Sequence, residues 1–235
     1  MKLTIVVTVL NEKNTIMQAI EDAKSLNIDK EIIVVDNCST DGTTELLRDL
    51  KDSSIKIIFQ PQNYGFGQSV NAGVHSALGE YIYIQYADLE YDINSVYGMV
   101  DLANKENLDA VFGSRYYYLN KNFFSILSMI KKRPHSLGSI VSTFLINLFY
   151  KKRFKDIIGS KLYRVSSFKK LNIKTRSVGF DFEVVSRLCK NGFLIKEVPV
   201  EYKPRGIKDG KKVKALDIIP ALITIFRVKW DCKRL

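Results

Sequence analysis

The chain has 235 residues, of which 46% are hydrophobic and 26% are charged, with 13 Gly and 5 Pro. This composition excludes a collagen-like, low-complexity or largely disordered protein and suits one large domain with its own core. Residues 1–110 carry 8 Lys and Arg against 17 Asp and Glu, whereas residues 111–235 carry 28 against 8, a net charge of +20. The basic half could meet nucleic acid, anionic lipid or phosphorylated substrates, and charge alone does not choose among them.

The N-terminus and the cysteines indicate a chain that works in a reducing compartment. Only about eight apolar residues begin the chain, so they are interpreted as a first strand and not as a signal peptide. Cys38, Cys189 and Cys232 are odd in number and form no CxxC pair, which argues against a disulfide framework and a zinc site. No apolar run reaches the ~20 residues that span a bilayer. We therefore expect a cytoplasmic protein without a transmembrane helix.

In the first half, short β-branched or aromatic runs alternate with stretches of helical length. This alternation predicts βαβ units and hence a doubly wound α/β fold, whose mostly parallel sheet is covered on both faces. Ligands of such sheets bind at the carboxyl ends of the strands. The predicted strands are residues 3–9, 31–35, 55–59, 81–86 and 109–114, and the predicted helices are residues 14–25, 43–50, 68–78 and 93–105.

The second half is richer in apolar and basic residues. The predicted elements are two helical segments within 122–154, a helix at 181–189, a strand at 194–200, a basic loop at 203–214 and a last amphipathic helix from residue 215. Helices with Lys and Arg beside Phe, Leu and Ile can lie in a membrane interface. A core position or an interface of a homo-oligomer fits the last helix equally well.

Polar residues follow the second and third predicted strands. Asp36 ends the second strand in the segment VDNCSTDGT, where its carboxylate could accept hydrogen bonds from a base or a ribose. The same segment is also typical of a turn that caps the next helix through Asp41 and Thr43, and both interpretations stay open. The segment NYGFG at 63–67 opens the third helix, but Val70 stands where a dinucleotide fingerprint needs its third Gly.

Acidic residues follow the fourth strand in the segment ADLEYD. A bend there could present the carboxylates of Asp88 and Glu90 to one divalent cation, with open positions for phosphate oxygens. A solvated acidic loop is the alternative interpretation of the same residues.

Taken together, these segments resemble the nucleotide-diphospho-sugar glycosyltransferases of family 2, which have the GT-A fold. Later segments in the same order, GSRY, GSKLYR, GFDFE and KEVPV, make the chain similar to the dolichyl/polyprenyl-phosphate mannosyltransferase branch. The resemblance covers roughly residues 1–212. It implies a catalytic domain with a nucleotide-sugar half at 1–114 and an acceptor half at 115–212, followed by a basic amphipathic helix at 213–235.

The resemblance implies a donor site with a metal. Asp88 and Glu90 would hold Mg²⁺ or Mn²⁺ against the two phosphates of the donor. Tyr86 stands where the family has the first Asp of its Asp-x-Asp motif, so a degenerate, non-catalytic nucleotide-sugar-binding protein stays an alternative. The residues implied for nucleotide-sugar binding are Thr8, Leu10, Asn11, Glu12, Asp36, Asn63, Asp88, Arg205 and Lys211.

The resemblance also implies an inverting, metal-dependent hexosyltransferase that acts at the cytoplasmic membrane face as a peripheral protein. Its lipid-phosphate acceptor would be a polyprenyl phosphate, held by Arg115, Lys132, Arg133 and Ser136. Asp88, Arg115 and Asp181 are the residues expected to act in transfer.

Two alternatives to the polyprenyl-phosphate acceptor remain. A hydroxyl of a surface glycan or lipid would need a general base, for which Asp181 is the candidate. A nucleic-acid partner is not expected, because the sequence has no RNP, helix-turn-helix or zinc pattern.

Overall fold

A computed structural model describes residues 2–118, 136–176, 179–205 and 218–231, and it confirms the predicted α/β fold. The strands are β1 (Leu3–Val9), β2 (Lys30–Asp36), β3 (Ile55–Phe59), β4 (Tyr81–Tyr86), β5 (Ala110–Ser114), β6 (Lys161–Arg164) and β7 (Ile195–Pro199). The helices are α1 (Ile16–Ser25), α2 (Thr43–Asp49), α3 (Phe66–Ser76), α4 (Ser95–Glu106), α5 (Ser136–Tyr150), α6 (Val165–Lys169), α7 (Phe180–Lys190) and α8 (Ile218–Trp230).

The strands of the described chain form one sheet in the order β3-β2-β1-β4-β6-β5-β7. Neighbours pair in parallel except at β6, which runs antiparallel to both β4 and β5. Val9 of β1 pairs with Asp36 of β2, and Thr8 of β1 pairs with Tyr86 of β4. The loops that follow these three strands therefore leave the sheet at the same edge.

Helices cover both faces of the sheet, which explains why the strands have continuous apolar runs. All of β1 is buried, and its alternate residues contribute to two cores. One core lies under α1, α2 and α4, and the other lies under α3 and the helices of the second half. The side chains that α1 buries recur with the spacing of one helical face. They are Ile16, Ala19, Ile20 and Ala23.

Helix α3 approaches the sheet closely at Gly73. A Cβ atom on this residue would overlap the side chain of Val6 in β1. The absence of a side chain at position 73 therefore sets the distance between helix and strand, and with it the position of the N-terminus of α3.

Several observed elements depart from the predicted ones, and α3 and α4 differ from the predicted bounds by up to two residues. Helix α1 begins at Ile16 instead of residue 14, because the backbone N–H groups of Thr15 and Ile16 bond to the carbonyl of Glu12 and form a turn first. The sequence pattern does not predict β6 or α6, since a four-residue strand that carries Lys161 and Arg164 has the composition of an exposed turn. The predicted helical segment at 122–135 and the start of the last helix at 215 lie outside the described residues.

Helices α5 and α8 pack against each other through aromatic rings. Phe149 lies 5.3 Å from Phe226 between ring centroids, and the Lys229 ammonium donates to the Phe149 carbonyl. On their outer sides the two helices expose apolar stripes, which we call the α5–α8 face. Its residues are Leu137, Phe144, Leu148, Ile219, Ile223 and Trp230. Across the four described ranges, no helix is both long enough and apolar enough to cross a membrane.

Candidate functional site

A pocket opens at the edge of the sheet where β1 and β4 end, which is the predicted position for ligands. Its cavity volume is about 200 Å³. Four of the predicted donor-binding residues line it, namely Thr8, Leu10, Glu12 and Asp88. The other lining residues are Val9, Asn37, Phe66, Ser69, Tyr86 and Ala87. Residues that are far apart in the sequence thus come together in one cavity.

The carboxylate of Asp36 stabilises its own turn. One oxygen accepts hydrogen bonds from the backbone N–H and the hydroxyl of Ser39, at 3.1 and 2.6 Å, and the other accepts from the hydroxyl of Thr44. Asp36 is buried and does not line the pocket. The turn interpretation of this segment agrees with the structure, because Asp41 accepts from the backbone N–H of Thr43 at 3.0 Å, whereas the N-cap of α2 is Gly42.

Asn37, which the sequence analysis does not single out, faces the pocket in place of Asp36. Its Nδ2 donates to Oδ1 of Asn63 at 2.9 Å, and its Oδ1 accepts the N–H of Tyr64 at 2.9 Å. The backbone N–H of Gly65 also donates to Asn63 Oδ1. Asn63 therefore acts on the pocket through Asn37, by joining the loop after β2 to the start of α3. The signal in the sequence was a second polar residue directly after Asp36.

Asn11 joins the first loop to the second. Its φ of 53° is in the left-handed region, which asparagine tolerates better than most residues. Its backbone N–H donates to Ser39 Oγ at 2.9 Å, and its Oδ1 accepts the N–H of Thr40 at 2.7 Å. The next residue, Glu12, donates its own N–H to Thr43 Oγ1 at 3.1 Å. These bonds fix the backbone that positions Leu10 and Glu12 at the pocket.

Aromatic rings form one wall of the pocket. Phe66 stacks on Tyr86 with ring centroids 5.4 Å apart, and Phe66 meets Phe180 edge-on at 5.6 Å. Burial raises the pKa of Tyr86 well above its usual value, so its phenol stays neutral. An uncharged ring therefore occupies the position where the resemblance implies a first metal-binding carboxylate.

Asp88 is the member of the acidic pair that faces the pocket. Its carboxylate accepts the N–H of Glu90 at 3.1 Å. Burial raises the pKa of Asp88, and the negative charges of Glu90 and Glu12 add to this rise. A half-buried carboxylate that lines the pocket is a suitable oxygen ligand for Mg²⁺ or Mn²⁺.

Glu90, the other member of the acidic pair, bonds to the segment that follows β7. Its Oε1 accepts the backbone N–H of Arg205 at 2.8 Å, and its carbonyl accepts the N–H of Lys203 at 2.8 Å. Within the described ranges no group of three His, Cys, Asp or Glu side chains is arranged to hold a metal ion. Asp88, which lines the pocket, is the residue that would hold such a cation there.

Arg205 brings the segment after β7 back to the first loop. Its Nη1 donates to Glu12 at 2.7 Å, and its Nη2 donates to Thr15 Oγ1 at 3.2 Å. A guanidinium therefore lies beside the acidic side of the pocket, where the resemblance implies a closing cation. Lys211, the other predicted cation of this loop, lies outside the described residues.

Arg115 is held in a buried ion pair. Its Nε and Nη2 donate to the two carboxylate oxygens of Asp156 at 2.6 and 2.9 Å, and Nη2 also bonds to Ser139 Oγ. Asp156 is fully buried, and the ring of Tyr202 lies 5.2 Å from the guanidinium. The geometry thus gives Arg115 a structural partner and does not place it at the pocket.

The other predicted acceptor residues cannot be compared with the structure in the same way. Lys132 and Arg133 lie outside the described residues. Ser136 begins α5, and its side chain is not among those described.

Asp181 lies in the first turn of α7, directly after Phe180 of the aromatic wall. Gly179 precedes the helix with a φ of 103°, a value that favours glycine. Burial raises the pKa of Asp181 above that of a free aspartate, and the ammonium of Lys161 opposes this rise. The negative charge of Asp181 also contributes to the raised pKa of Tyr86 in the aromatic wall.

The sequence matches the model of a protein family described as Glycosyl transferase family 2 over residues 4–171, which is more than half of the chain. Among curated proteins, the low-salt glycan biosynthesis hexosyltransferase Agl6 of Haloferax volcanii is 26% identical over 207 residues. The matched segments cover 86% of this chain and 48% of that protein. The chain thus spans about half the length of this relative.

Solved structures share the fold. Glucosyl-3-phosphoglycerate synthase from Mycobacterium tuberculosis, in complex with Mn²⁺, UDP-glucose and phosphoglyceric acid, has a TM-score of 0.65 at 14% identity, covering 97% of this chain and 79% of that one. The mannosyltransferase PcManGT from Pyrobaculum calidifontis, in complex with GDP-Man and Mn²⁺, has a TM-score of 0.61 at 18% identity, covering 96% and 69%. At these identities the likeness concerns the fold alone.

Proposed function

Because the chain belongs to glycosyl transferase family 2 and has the GT-A fold, we propose that its pocket binds a nucleotide-diphospho-sugar and that the sugar passes to an acceptor hydroxyl with inversion. The observation that carries this choice of acceptor is the placement of two charged residues. Asp181 lies beside the aromatic wall of the pocket, whereas the charge of Arg115 is already paired with that of Asp156.

The pocket has groups that suit a nucleotide-sugar. Thr8 and Asn37 offer a hydroxyl and an amide at the strand ends, and the rings of Phe66 and Tyr86 offer an apolar surface for a base or a sugar. The related structures with UDP-glucose and GDP-Man support a donor of this class. The base and the sugar are left to experiment.

A divalent cation would be anchored by Asp88. When bound, Mg²⁺ or Mn²⁺ stabilises the negative charge that collects on the departing diphosphate. The presence of Mn²⁺ in both related structures supports its use here. Arg205, beside Glu12, is the described cation of this chain that is placed to approach the same diphosphate.

Asp181 would act as the general base. Its carboxylate accepts the proton of the acceptor hydroxyl, and the hydroxyl oxygen forms a bond to the anomeric carbon of the donor sugar. The bond from that carbon to the diphosphate oxygen breaks, and its electron pair leaves with the nucleoside diphosphate. A carboxylate whose pKa is raised by burial is a stronger base than a free aspartate, which suits this role.

A polyprenyl-phosphate acceptor at the cytoplasmic membrane face is the second candidate, because the α5–α8 face favours a membrane location. Phe144, Ile223 and Trp230 are more than 60% exposed, and Arg227 and Lys229 lie in the last turn of α8. Apolar side chains beside cations are typical of helices that rest in an interface with anionic lipid. A phosphate acceptor is already ionised and needs no general base, so it would leave Asp181 without a role in proton transfer.

The two acceptors can be separated by a transfer assay with the purified chain, a panel of UDP- and GDP-sugars and Mn²⁺. One acceptor is a short polyprenyl phosphate and the other is a neutral oligosaccharide. We expect product from the oligosaccharide and a large loss of that product in Asp181→Asn. Product from the polyprenyl phosphate alone, at a rate that Asp181→Asn leaves unchanged, would replace the first candidate by the second.

The membrane location needs a separate experiment with vesicles that contain anionic lipid. We expect the parent protein to sediment with them and the double variant Phe144→Ser/Ile223→Ser to stay in the supernatant. Leu78→Ser is the matched control, because Leu78 is 79% exposed but lies between α3 and β4, away from the α5–α8 face. Equal sedimentation of all three proteins would contradict a membrane role for this face.

A further inference from the structure

Strand β6 places a lysine ammonium in the interior of the protein. Lys161 is 1% exposed, donates a hydrogen bond to the carbonyl of Gly159, and lies 5.1 Å from the ring centroid of Phe112. Taking an ammonium out of water costs several kcal/mol unless negative groups surround it. The position therefore calls for an acidic partner.

Three carboxylates act on Lys161 within the described chain. Asp156 is already bound by Arg115 through both of its oxygens. Glu197 accepts the backbone N–H groups of Lys155 and Asp156 at 2.8 to 3.0 Å. The third carboxylate is Asp181, whose negative charge has the largest effect of the three on Lys161.

The register of the sheet places the side chain of Lys161 on the face that α7 covers. Lys161 and Tyr163 are two residues apart on β6, so their side chains leave the same face of the sheet. Ile84 pairs with Lys161, and Tyr86 follows two residues later on β4, so its side chain leaves that face as well. Helix α7, with Asp181 in its first turn, packs over this face.

The hydroxyl of Tyr163 adds a second observation at the same place. It is buried and has no hydrogen-bond partner among the described atoms. Tyr163 lies on the face of the sheet that α7 covers, and the negative charge of Asp181 contributes to the raised pKa of Tyr163. On this face, the titratable groups of β4 and β6 are thus two phenols, of Tyr86 and Tyr163, and one cation, Lys161.

We infer that Lys161 is a positioning residue for Asp181, and that its buried ammonium keeps the Asp181 carboxylate ionised beside the aromatic wall of the pocket. The inference rests on the proposed function, in which Asp181 accepts the proton of the acceptor. Lys161 itself does not reach substrate, because it is covered by the sheet and by α7.

The direction of the effect follows from the charges. Burial lowers the pKa of Lys161 to about 8, so most of the lysine is still protonated at neutral pH. Its positive charge lowers the pKa of Asp181 against the effect of burial. Without this charge, Asp181 would take up a proton at a higher pH and would be unable to act as a base in neutral solution.

The test is the pH profile of kcat/KM for transfer, measured in the parent, Lys161→Met and Asp181→Asn. Methionine preserves the length and apolar stem of lysine without its charge. We expect the acid limb of the profile to move to higher pH in Lys161→Met, with a loss of about tenfold at pH 6.5 that recovers toward the parent rate in alkali. Donor affinity, measured by calorimetry, should not change.

Lys170→Met is the matched control, because it removes the same charge from an exposed position near the end of α6. It should keep the profile of the parent. Lys161→Gln, which can still donate to the Gly159 carbonyl, serves if Lys161→Met does not fold. The same shift of the acid limb is expected for it.

Two failures can be told apart. Parent-like transfer by Asp181→Asn would overturn the proposed base and the inference with it. Loss of transfer in Asp181→Asn, together with an unshifted acid limb in a folded Lys161 variant, would overturn the inference alone.

Discussion

The two halves of the chain hold their polar groups in different ways. In the first half, amide and hydroxyl groups of neighbouring loops bond to one another at the sheet edge, as Asn37 does with Asn63. In the second half, charged side chains are buried in opposite pairs, as Arg115 is with Asp156. The basic excess of the second half is therefore partly structural, and an arginine there is not by itself a phosphate ligand.

A second buried cluster in this half supports the same distinction. Glu183 of α7 is fully buried and accepts from Arg187 at 2.8 Å and from the backbone N–H of Thr175 at 2.7 Å. Arg227 of α8 donates to the same carboxylate at 3.2 Å. Ionic contacts thus join α7 to α8, whereas close apolar packing joins α3 to β1 in the first half.

The largest effect is expected for Asp181, the proposed general base beside the aromatic wall of the pocket. Asp181→Asn should reduce transfer to a hydroxyl acceptor by about 10²- to 10⁴-fold, because an amide cannot accept the proton. Donor affinity should stay at the parent value, since Asp181 does not line the donor pocket. Asp101→Asn, at an exposed position of α4, is the control for the kinetic assay. A parent-like rate in Asp181→Asn would show that Asp181 is not the general base.

The buried ion pair should be the next most sensitive feature. Asp156→Asn leaves the guanidinium of Arg115 buried without its counter-charge, so we expect a loss of about 3–5 kcal/mol in the free energy of unfolding by urea. The double variant Arg115→Met/Asp156→Leu should recover most of this loss, because it buries no charge. If Asp156→Asn unfolds at the urea concentration of the parent, the second half does not depend on this pair.

In the first half, glycine substitutions should reveal dependence on packing. Gly73→Ala should lower the free energy of unfolding by about 1–3 kcal/mol, since its Cβ would overlap Val6. Gly98→Ala has open space and lies within α4, so it should raise the same free energy by about 0.4–1 kcal/mol. Similar unfolding curves for both variants would contradict the close approach of α3.

The smallest effect is expected for the contact between Arg205 and Glu12, which joins the second half of the chain to the first beside the pocket. Arg205→Ala should weaken donor binding by about tenfold, or 1.4 kcal/mol, through loss of a cation near the diphosphate. The free energy of unfolding should fall by about 1–2 kcal/mol, because side chains that are only 18% and 13% exposed lose their hydrogen bond. Lys105→Ala, at an exposed site of α4, is the control in calorimetry. Unchanged donor affinity in Arg205→Ala would show that the Arg205 guanidinium does not contribute to donor binding.

Much of the first half could be predicted from sequence because each feature there is local. Continuous apolar runs indicate strands that are buried on both faces, and polar residues directly after them mark the pocket edge. Thr8, Leu10, Glu12 and Asp88 are brought together in this way. The sequence does not predict which of Asp36 and Asn37 faces the pocket. This depends on the fold of the turn, in which the Asp36 carboxylate accepts hydrogen bonds from Ser39 and Thr44.

The second half was harder to predict because its residues are paired over long distances in the chain. In the sequence, Arg115 is a suitable phosphate ligand. In the fold, Asp156, which is 41 residues later, lies beside Arg115 and pairs with its charge. A lysine such as Lys161 is expected at the surface. It is buried because β6 lies between β4 and β5 in the sheet. The sequence next to Arg115 or Lys161 does not indicate the distant residues that surround these side chains in the fold.

We propose that the pocket at the strand ends binds a nucleotide-diphospho-sugar with a metal held by Asp88. The most direct test of this binding is calorimetric titration of the parent and Asp88→Ala with UDP- and GDP-sugars, each with and without Mn²⁺. We expect the parent to bind one nucleotide class more tightly with Mn²⁺ and Asp88→Ala to lose this gain. Absence of binding to every donor by the folded parent, or a parent-like response of Asp88→Ala to Mn²⁺, would contradict this proposal.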